Sequence, residues 1–221
     1  MKGIINPKHS LFHFTSIENF LSIEKSMKLY FSNLSRVNDL SECLVPTQQI
    51  SNRLDIENYI RENGKVLSFT DRASHQRMWA QYAKYGVCLE LNFSNLISKN
   101  ERIIKQYKIY GAKIKYTTTK RRKTINNLSI VPQKEIEKFI RENKSAILYS
   151  KNSDWRDEKE YRFIALTREP ISFSIKDSID SVYINSPIWE LKKLLDKREH
   201  TYKTYDWRTN ISFPINNKII G

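Results

Sequence analysis

The chain of 221 residues is long enough for one domain with a sizeable core, and its apolar fraction of 39% is well above that of disordered proteins. Its 38 basic and 24 acidic residues give a net charge of +14, which favours anionic partners such as nucleic acids, nucleotides or acidic surfaces. A lysine-rich composition that serves solubility explains the same charge, so charge alone leaves nucleic-acid binding open. With two cysteines and no apolar run of about 18 residues, we expect a cytoplasmic protein with no disulfide framework and no membrane span.

Short strands and helices alternate along the first half of the chain. Strands are predicted at residues 11–15, 28–32, 65–70 and 87–93. Helices are predicted after the capping residue Ser16, over 46–63 and over 74–85, and glycines end the last two. Cys88 stands in an apolar run and is predicted to be a small core residue.

The second half continues this alternation. One or two strands are predicted over 102–118, and the strongest helix pattern covers 133–150. A charged segment, 154–160, leads into a strand over 161–166. Two late strands at 171–175 and 180–184 and a short helix over 188–196 follow. Interleaved helices and short strands predict a single α+β domain over residues 1–221, with a mainly antiparallel core rather than a doubly wound sheet.

Several common catalytic and metal-binding motifs are absent from the sequence. The five glycines form no phosphate-binding loop, and neither an HExxH motif nor a GxSxG nucleophile elbow occurs. No His and Cys residues stand at zinc-binding spacing, and we predict no metal site. His9, His75 and His200 are isolated and are expected at the surface.

Two pairs of polar residues have the spacing of a strand face. His13 and Thr15 are two residues apart on the first strand, so their side chains project from one face. A core histidine bonded to a backbone carbonyl explains the same pattern. Glu158 and Glu160 share a face if their strand begins by Glu158, and this proximity raises the cost of ionising both. A solvated charged turn is the alternative for the second pair.

A third group follows the middle strand, which carries Ser68. Arg72 comes shortly after this strand, and Trp79 and Tyr82 are three residues apart on the next predicted helix. Residues at that spacing share a helix face, so the two rings are able to form an aromatic wall for a planar ligand. Ordinary packing of the helix on the sheet is the alternative.

The order of these groups resembles a bacterial protein family. The chain carries His-x-Thr, KLYFS, Asn-Asp-x-x-Glu at 38–42, VLSFT, MWAQYAKYGVCLEL, a strand from Lys113 to Tyr116, and WRDEKEYRF. Over residues 10 to 190 this pattern is similar to the family catalogued as domain of unknown function 2971. Leu40 stands where that family usually has proline.

That family more distantly resembles the ADP-ribosyltransferase superfamily, in which a His lies on an early strand, a Ser or Tyr on a middle strand, and a Glu opens a late strand. The His-x-Thr here is similar to the version in poly(ADP-ribose) polymerases and in DNA-modifying bacterial toxins. The pair Glu160-Tyr161 is similar to the Glu-Tyr that opens the catalytic strand of those polymerases. The resemblance implies an ADP-ribosyltransferase-like fold, with short strands in a split sheet core and flanking helices, and NAD as the substrate.

The resemblance also implies roles for individual residues. Cleavage of the nicotinamide glycosidic bond develops positive charge on the ribose, and Glu160 would stabilise that charge. Glu158 would position the acceptor or be a bystander, and His13 completes the implied catalytic set. The resemblance further implies that His13 and Thr15 contact the adenosine ribose and that Ser68 supports the glutamate. Trp79 or Tyr82 would stack on nicotinamide, and Arg72 would bind the pyrophosphate.

A basic segment runs from Lys99 to Lys123 and holds ten Lys or Arg residues interleaved with tyrosines. Basic groups beside stackable rings are typical of single-stranded nucleic-acid binding, and a solvated strand pair is the alternative. The predicted nucleic-acid-binding residues are Lys113, Lys115, Lys120, Arg121, Arg122 and Lys123.

The resemblance therefore implies an NAD-dependent ADP-ribosyltransferase that modifies a macromolecule, and the basic segment slightly favours nucleic acid over protein as the acceptor. The expected setting is a bacterial toxin or antiphage effector with an antitoxin or defence-system partner. Two alternatives stay open: an NAD glycohydrolase, in which water is the acceptor, and a non-catalytic nucleic-acid-binding domain with the same fold.

Overall fold

The computed structural model describes residues 3–7, 10–36, 45, 53–84, 86–118, 131–185, 202–206 and 211–214. In chain order the strands are β1 (Leu11–Thr15), β2 (Lys28–Tyr30), β3 (Ser32–Asn33), β4 (Gly64–Phe69), β5 (Val87–Leu91), β6 (Tyr110–Lys113), β7 (Lys115–Thr117), β8 (Ser150–Asn152), β9 (Tyr161–Leu166), β10 (Ser172–Ser174), β11 (Ile179–Asn185), β12 (Tyr202–Asp206) and β13 (Ile211–Pro214). The α-helices are α1 (Ile17–Ser26), α2 (Arg53–Asn63), α3 (Gln76–Met78), α4 (Phe93–Lys99), α5 (Glu101–Gln106), α6 (Ile136–Glu142) and α7 (Lys144–Ile147). This mixture of helices with several small, mainly antiparallel sheets confirms the α+β class.

The chain divides into two compact units. The first holds Met1–Pro7, Tyr30–Ser68 and Asn100–Phe173. The second holds Lys8–Leu29, Phe69–Lys99 and Ser174–Gly221. Each unit is therefore assembled from three separate stretches of the sequence.

The first unit contains a four-stranded sheet in the order β3-β4-β9-β6, and β7 and β8 pair in parallel as a separate ribbon. Helix α2 packs its apolar face, with Ile56 and Ile60, into one buried cluster with Ile140 of α6 and Ile164 of β9. Residues four apart on a helix share a face, so the helical spacing of the apolar residues places them in this core. Because the cluster anchors β9 from one side, it fixes the strand that Glu160 precedes.

The second unit contains a five-stranded sheet in the order β1-β5-β11-β12-β13. The neighbours are antiparallel except for β11 and β12, which run parallel. Phe14 lies opposite Cys88, and Cys88 lies opposite Tyr183, so the three side chains share one face. Cys88 is fully buried there, as predicted, and burial raises the pKa of its thiol.

The strands predicted at 11–15, 65–70, 87–93 and 161–166 are confirmed as β1, β4, β5 and β9. The strand prediction over 102–118 is wrong in its first part, because Glu101–Gln106 form α5. Glu101 and Lys105 form an i,i+4 ion pair of 2.7 Å on this helix. Strands β6 and β7 follow on either side of Ile114.

Two predicted helices are interrupted in the structure. The helix over 74–85 starts as α3 and continues as a π-helix, Trp79–Ala83, with a hydrogen bond of 2.9 Å from the Lys84 amide to the Trp79 carbonyl. The helix over 133–150 consists of a 3-10 turn followed by α6 and α7, which Asn143 separates. Both the backbone amide and the side chain of Asn143 donate to the Phe139 carbonyl at the end of α6.

His75 is 4% exposed, so the surface prediction for it is wrong. His9, His200, the residues 38–42 of the Asn-Asp motif and the predicted helix over 188–196 lie outside the described residues. Among the helices in the described ranges, none has the length and apolar character needed to span a bilayer. The described part of the chain contains no group of three His, Cys, Asp or Glu side chains arranged to hold a metal ion.

Candidate functional site

Glu158 and Glu160 stand at the start of β9, but the strand does not begin by Glu158. A 3-10 helix covers Ser153–Glu158, and the Asn152 side chain caps it by accepting from the backbone at its start. Lys159 then takes a left-handed conformation with φ 46° and turns the chain into β9. Although Glu158 ends the helix and Glu160 precedes the strand, both carboxylates are buried, with 2% and 5% exposure.

Three side chains from three strands bind the Glu160 carboxylate. Arg162, two residues along β9, donates from Nε to one oxygen and from Nη2 to the other, the second bond being 2.7 Å. The Ser68 hydroxyl on β4 donates to the same carboxylate. The ammonium of Lys151 on β8 lies 3.6 Å from Glu160 Oε2. Charged donors at both oxygens hold the carboxylate in one orientation.

Lys151 joins the two glutamates into one cluster. Its Nζ lies 2.8 Å from Glu158 Oε2, and it stands 4.5 Å above the ring of Trp155. We call Lys151, Glu158, Glu160 and Arg162 the carboxylate cluster. Its two carboxylates and two cations balance in charge, which is the condition under which charged groups are tolerated in a protein interior.

The Glu160 carboxyl group is held in its ionised form. Burial raises its pKa, but the charge and hydrogen bonds of Arg162, the charge of Lys151 and the bond from Ser68 together outweigh burial, so the pKa lies below its ordinary value. Burial has the largest effect on Tyr116 as well and raises the pKa of its hydroxyl. That hydroxyl accepts a 2.8 Å hydrogen bond from the Glu160 amide.

Sheet topology explains why these residues meet. Ser68 lies on β4, and Glu160 directly precedes β9, which neighbours β4 in the four-stranded sheet. The parallel register of β7 and β8 places Lys151 opposite Tyr116. Sequence reasoning identified Ser68, Glu158 and Glu160 but missed the other members of the cluster. The spacing of Arg162, two residues after Glu160, was a signal that the two side chains share a face.

In the second unit, His13 and Thr15 project from the same face of β1, as their spacing predicts. Thr15 is buried, with 5% exposure. His13 is half-buried, and its ring lies 5.6 Å from the ring of Phe69 in a tilted arrangement. Phe12 and Phe14 point to the opposite face, where they pack in the core.

The aromatic pair of the second unit has two different environments. Trp79 is 2% exposed and meets Phe14 edge-on at 5.0 Å, on the face of β1 opposite to His13. Its indole Nε1 donates to the Ala73 carbonyl at 2.7 Å. Tyr82 is only partly buried against the same cluster. A fully covered ring has no face for a ligand, so of the two rings Tyr82 is the one with accessible surface.

Arg72, the predicted pyrophosphate ligand, is half-exposed in the second unit. Its side chain is 50% exposed, and its Nε lies 4.0 Å from the Asp71 carboxylate. An ion pair at this distance and exposure contributes little to stability. The guanidinium is therefore accessible to an anion.

The basic segment of the first unit presents Lys113 and Lys115 to solvent. Between them, buried Ile114 donates from its amide to the Glu160 carbonyl at 2.9 Å. Residues alternate between faces in an extended segment, so the two lysines project away from the side to which Ile114 and Tyr116 point. Lys120, Arg121, Arg122 and Lys123 lie outside the described residues.

The tyrosines of the basic segment have protein contacts in the structure. The Tyr107 hydroxyl donates to Glu169. The Lys144 ammonium lies 4.7 Å, and the Arg141 guanidinium 5.7 Å, from the centre of the Tyr110 ring. The Tyr107 hydroxyl and the Tyr110 ring are thus engaged by charged groups of the chain itself.

The structure brings Ser68, Glu158 and Glu160 together in the first unit, which also carries Lys113 and Lys115. The other described site residues are in the second unit: His13, Thr15, Arg72, Trp79 and Tyr82. The fold and the site thus define an α+β protein with a buried, charge-balanced carboxylate cluster.

Comparison with known proteins gives a match to one family model over part of the chain. Residues 78–163 match the model of the family described as "Protein of unknown function (DUF2971)". The matched segment contains Trp79, Tyr82, Glu158 and Glu160, and it supports the resemblance to that family. Its description carries no activity. No curated protein and no solved structure matches the chain.

Proposed function

We propose that the chain is an NAD-dependent ADP-ribosyltransferase in which Glu160 is the principal carboxylate. The observation that carries this proposal is the hydrogen bond from Ser68 on β4 to Glu160, which directly precedes the neighbouring strand β9. A middle-strand serine that hydrogen-bonds a glutamate at the start of a later strand is the arrangement that the resemblance implies. His13 and Thr15 are assigned to the adenosine ribose, Arg72 to the pyrophosphate and Tyr82 to nicotinamide.

The proposed reaction needs an anion that is already in place. The bond between ribose C1′ and the nicotinamide nitrogen breaks, its electron pair leaves with nicotinamide, and positive charge develops on the ribose. The ionised Glu160 carboxylate stabilises this charge because its donors fix it before the reaction begins. A nucleophilic atom of the acceptor then forms a bond to C1′ and loses its proton. With water as the acceptor, the same steps describe an NAD glycohydrolase.

One observation favours a second candidate, a nucleic-acid-binding domain without catalysis. The carboxylate cluster balances its own charges, and Arg162 occupies both oxygens of Glu160. Such a network is satisfied without a substrate and is compatible with a purely structural role. The net charge of +14 would then serve binding alone.

The acceptor is proposed to be a nucleic acid rather than a protein, because the exposed lysines of the basic segment attract polyanions. A bacterial toxin or antiphage effector with an antitoxin or defence-system partner remains the proposed setting, and a cytoplasmic location remains a proposal as well.

The deciding experiment incubates the full chain with NAD labelled in its ADP-ribose part, together with RNA, DNA or cell protein. Nicotinamide release and transfer of label are both measured. Release with label on a macromolecule supports the transferase, and release without transfer supports the glycohydrolase. Nucleic-acid binding with no release of nicotinamide contradicts the proposed enzyme and leaves the binding domain.

Substitution of Glu160 identifies the carboxylate. Glu160→Gln should lower nicotinamide release by about 100-fold or more, since it removes the one preorganised charge that meets the cation. Glu135→Gln, at an exposed position of the same unit, is the matched control and should keep full activity. Because Glu160→Gln breaks the buried ion pair with Arg162, the folded fraction of this variant is measured by circular dichroism. Ser68→Ala removes the hydrogen bond to Glu160 but keeps the charge of the carboxylate, so it should lower the rate by a smaller factor in a folded protein. If Glu160→Gln retains full turnover, Glu160 is not the principal carboxylate.

A further inference from the structure

Lys151 has no place in the proposed reaction, yet it is among the most completely buried cations that the structure describes. It is 4% exposed, and its ammonium lies 2.8 Å from one glutamate of the carboxylate cluster and 3.6 Å from the other. A lone ammonium is costly to bury, so such a group is retained only where its partners compensate for its missing hydration. Its position between the two carboxylates is therefore its most informative feature.

We propose that Lys151 is a positioning residue whose ammonium is shared by Glu158 and Glu160, and that it holds the Glu160 carboxylate ionised and in place. Its consequence for catalysis rests on the proposed function, whereas its effect on Glu160 does not. The ammonium lies closer to Glu158 than to Glu160, so its attraction to Glu158 is the stronger of the two. In this assignment Glu158 acts through Lys151, which gives the second glutamate a defined role.

The surroundings of Lys151 keep its ammonium at this point. Strand β8 pairs in parallel with β7, and the Lys115 amide donates to the Tyr149 carbonyl at 2.8 Å just before the paired segment. The Trp155 ring covers the ammonium from one side at 4.5 Å. A cation over an aromatic face within about 6 Å is attracted to it, which favours this rotamer over others.

The charged and titratable groups that face Glu160 come from four elements of the first unit. Arg162 lies on β9, Lys151 on β8, Tyr116 on β7, and Glu158 at the end of the 3-10 helix. The Tyr116 hydroxyl meets the Glu160 amide, so the carboxylate itself has two cations beside it in the described structure. Arg162 donates to both oxygens of the Glu160 carboxylate. Lys151 interacts with both Glu158 and Glu160.

Because Lys151 interacts with both glutamates, removal of Glu158 and removal of Lys151 should shift the titration midpoint of Glu160 in opposite directions. Removal of the Glu158 charge leaves the whole ammonium of Lys151 to Glu160, which should lower the titration midpoint of Glu160. Removal of Lys151 in that same background takes away one close positive charge, which should raise the midpoint by about one pH unit or more. Because the second change is made where Glu158 is already neutral, no unpaired buried carboxylate is created at position 158.

The test titrates the full chain, labelled with carbon-13 at the glutamate side-chain carboxyl, by NMR. The Glu160 signal is assigned by its disappearance in Glu160→Gln. Glu158→Gln is compared with the double variant Glu158→Gln/Lys151→Met, and the midpoint should be higher in the double variant. The matched control is Glu158→Gln/Lys134→Met, which removes an exposed lysine of the same unit and should keep the midpoint of Glu158→Gln. Equal midpoints in Glu158→Gln and its Lys151→Met double variant overturn the proposal.

A kinetic measurement separates this proposal from the proposed function. If Glu160 must be ionised for cleavage of NAD, the acid limb of the pH profile of nicotinamide release should move with its NMR midpoint in the same variants. A wild-type chain that releases no nicotinamide contradicts the proposed function, while the titrations still decide the role of Lys151. An acid limb that stays fixed while the NMR midpoint moves overturns the catalytic part of the assignment.

Discussion

At Glu160, burial and charge act on the same carboxyl group in opposite directions. Burial alone would favour the neutral acid, and the donors from Arg162 and Ser68, with the charge of Lys151, favour the carboxylate. The donors prevail, so the folded protein binds the proton at this site more weakly than the unfolded chain does. A group of this kind links proton binding to folding stability.

The sign of this linkage gives a prediction for stability against pH. Because the folded-state pKa of Glu160 is lowered, its stabilising effect is complete above the ordinary value of 4.5 and disappears as pH falls through the lowered folded value. At neutral pH, Glu160→Gln should lower the free energy of unfolding by about 3 kcal/mol, since the buried ion pair between Glu160 and Arg162 is broken. The difference from wild type should shrink below pH 4.5.

Urea unfolding at several pH values, followed by the fluorescence of the four tryptophans, measures this difference. Glu135→Gln is again the control, because its exposed side chain should give almost no change at any pH. A deficit of Glu160→Gln that stays constant from pH 7 to acid would contradict the lowered pKa of Glu160.

Between the π-helix and β5, one position has no room for a side chain. A Cβ at Gly86 would lie 2.2 Å from the Thr15 carbonyl oxygen and 2.5 Å from the Ala83 carbonyl oxygen. Both atoms belong to the backbone, so neither is able to move aside as the end of a flexible side chain does. Two residues earlier, Lys84 ends the π-helix with φ 47°, a conformation that costs a residue with a Cβ about 1–2 kcal/mol.

These two neighbours should respond to substitution with opposite signs. Gly86→Ala should lower the free energy of unfolding by about 2 kcal/mol or more, because the backbone must shift to admit the methyl group. Lys84→Gly should leave stability unchanged or raise it by up to about 1 kcal/mol, since glycine adopts a positive φ without steric cost. Thermal unfolding of both variants provides the comparison. A Gly86→Ala variant as stable as wild type would contradict the close packing around this glycine.

Sequence patterns predict the elements whose signal is local. The strand β9 and the helix α2 follow from the periodicity of their own residues. The isoleucines of residues 101–106 favour a strand, although the Glu101 and Lys105 pair supports the helix that forms there. The π-helix is not predicted, because its hydrogen bonds join residues five apart, whereas the spacing rule applied to Trp79 and Tyr82 assumes an α-helix.

The candidate site shows the same limit at longer range. The pairing of Ser68 with Glu160 is expected from the order of motifs, and the structure contains the hydrogen bond. Lys151 reaches the cluster only through the parallel pairing of β7 with β8, and no local spacing reports which strands pair. The sequence therefore identifies site residues that lie within recognisable motifs. The cations that balance the buried carboxylates are identified only from the three-dimensional structure.

For the molecule as a whole, the excess of basic residues is the property most directly tied to a partner. A net charge of +14 attracts any polyanion, so its presence does not distinguish a specific surface from general attraction. The first unit offers a comparison within one protein. Lys113 and Lys115 lie in the basic segment next to the strand that Glu160 precedes, while Lys134 and Lys138 are exposed elsewhere in that unit.

If nucleic acid binds at the basic segment, the two lysine pairs should differ although both changes remove the same charge. Replacement of Lys113 and Lys115 by alanine should weaken binding to single-stranded RNA and DNA of all sequences alike. It should also flatten the log–log dependence of affinity on salt by about 0.7 for each phosphate that the variant no longer neutralises. Replacement of Lys134 and Lys138 should change affinity little and leave this slope as it is in wild type. Fluorescence anisotropy of a labelled oligonucleotide across a salt series measures both quantities. Equal effects of the two replacements would mean that the polyanion is attracted by net charge and not by the basic segment. In that case, transfer of ADP-ribose to one particular polypeptide would point to a protein acceptor.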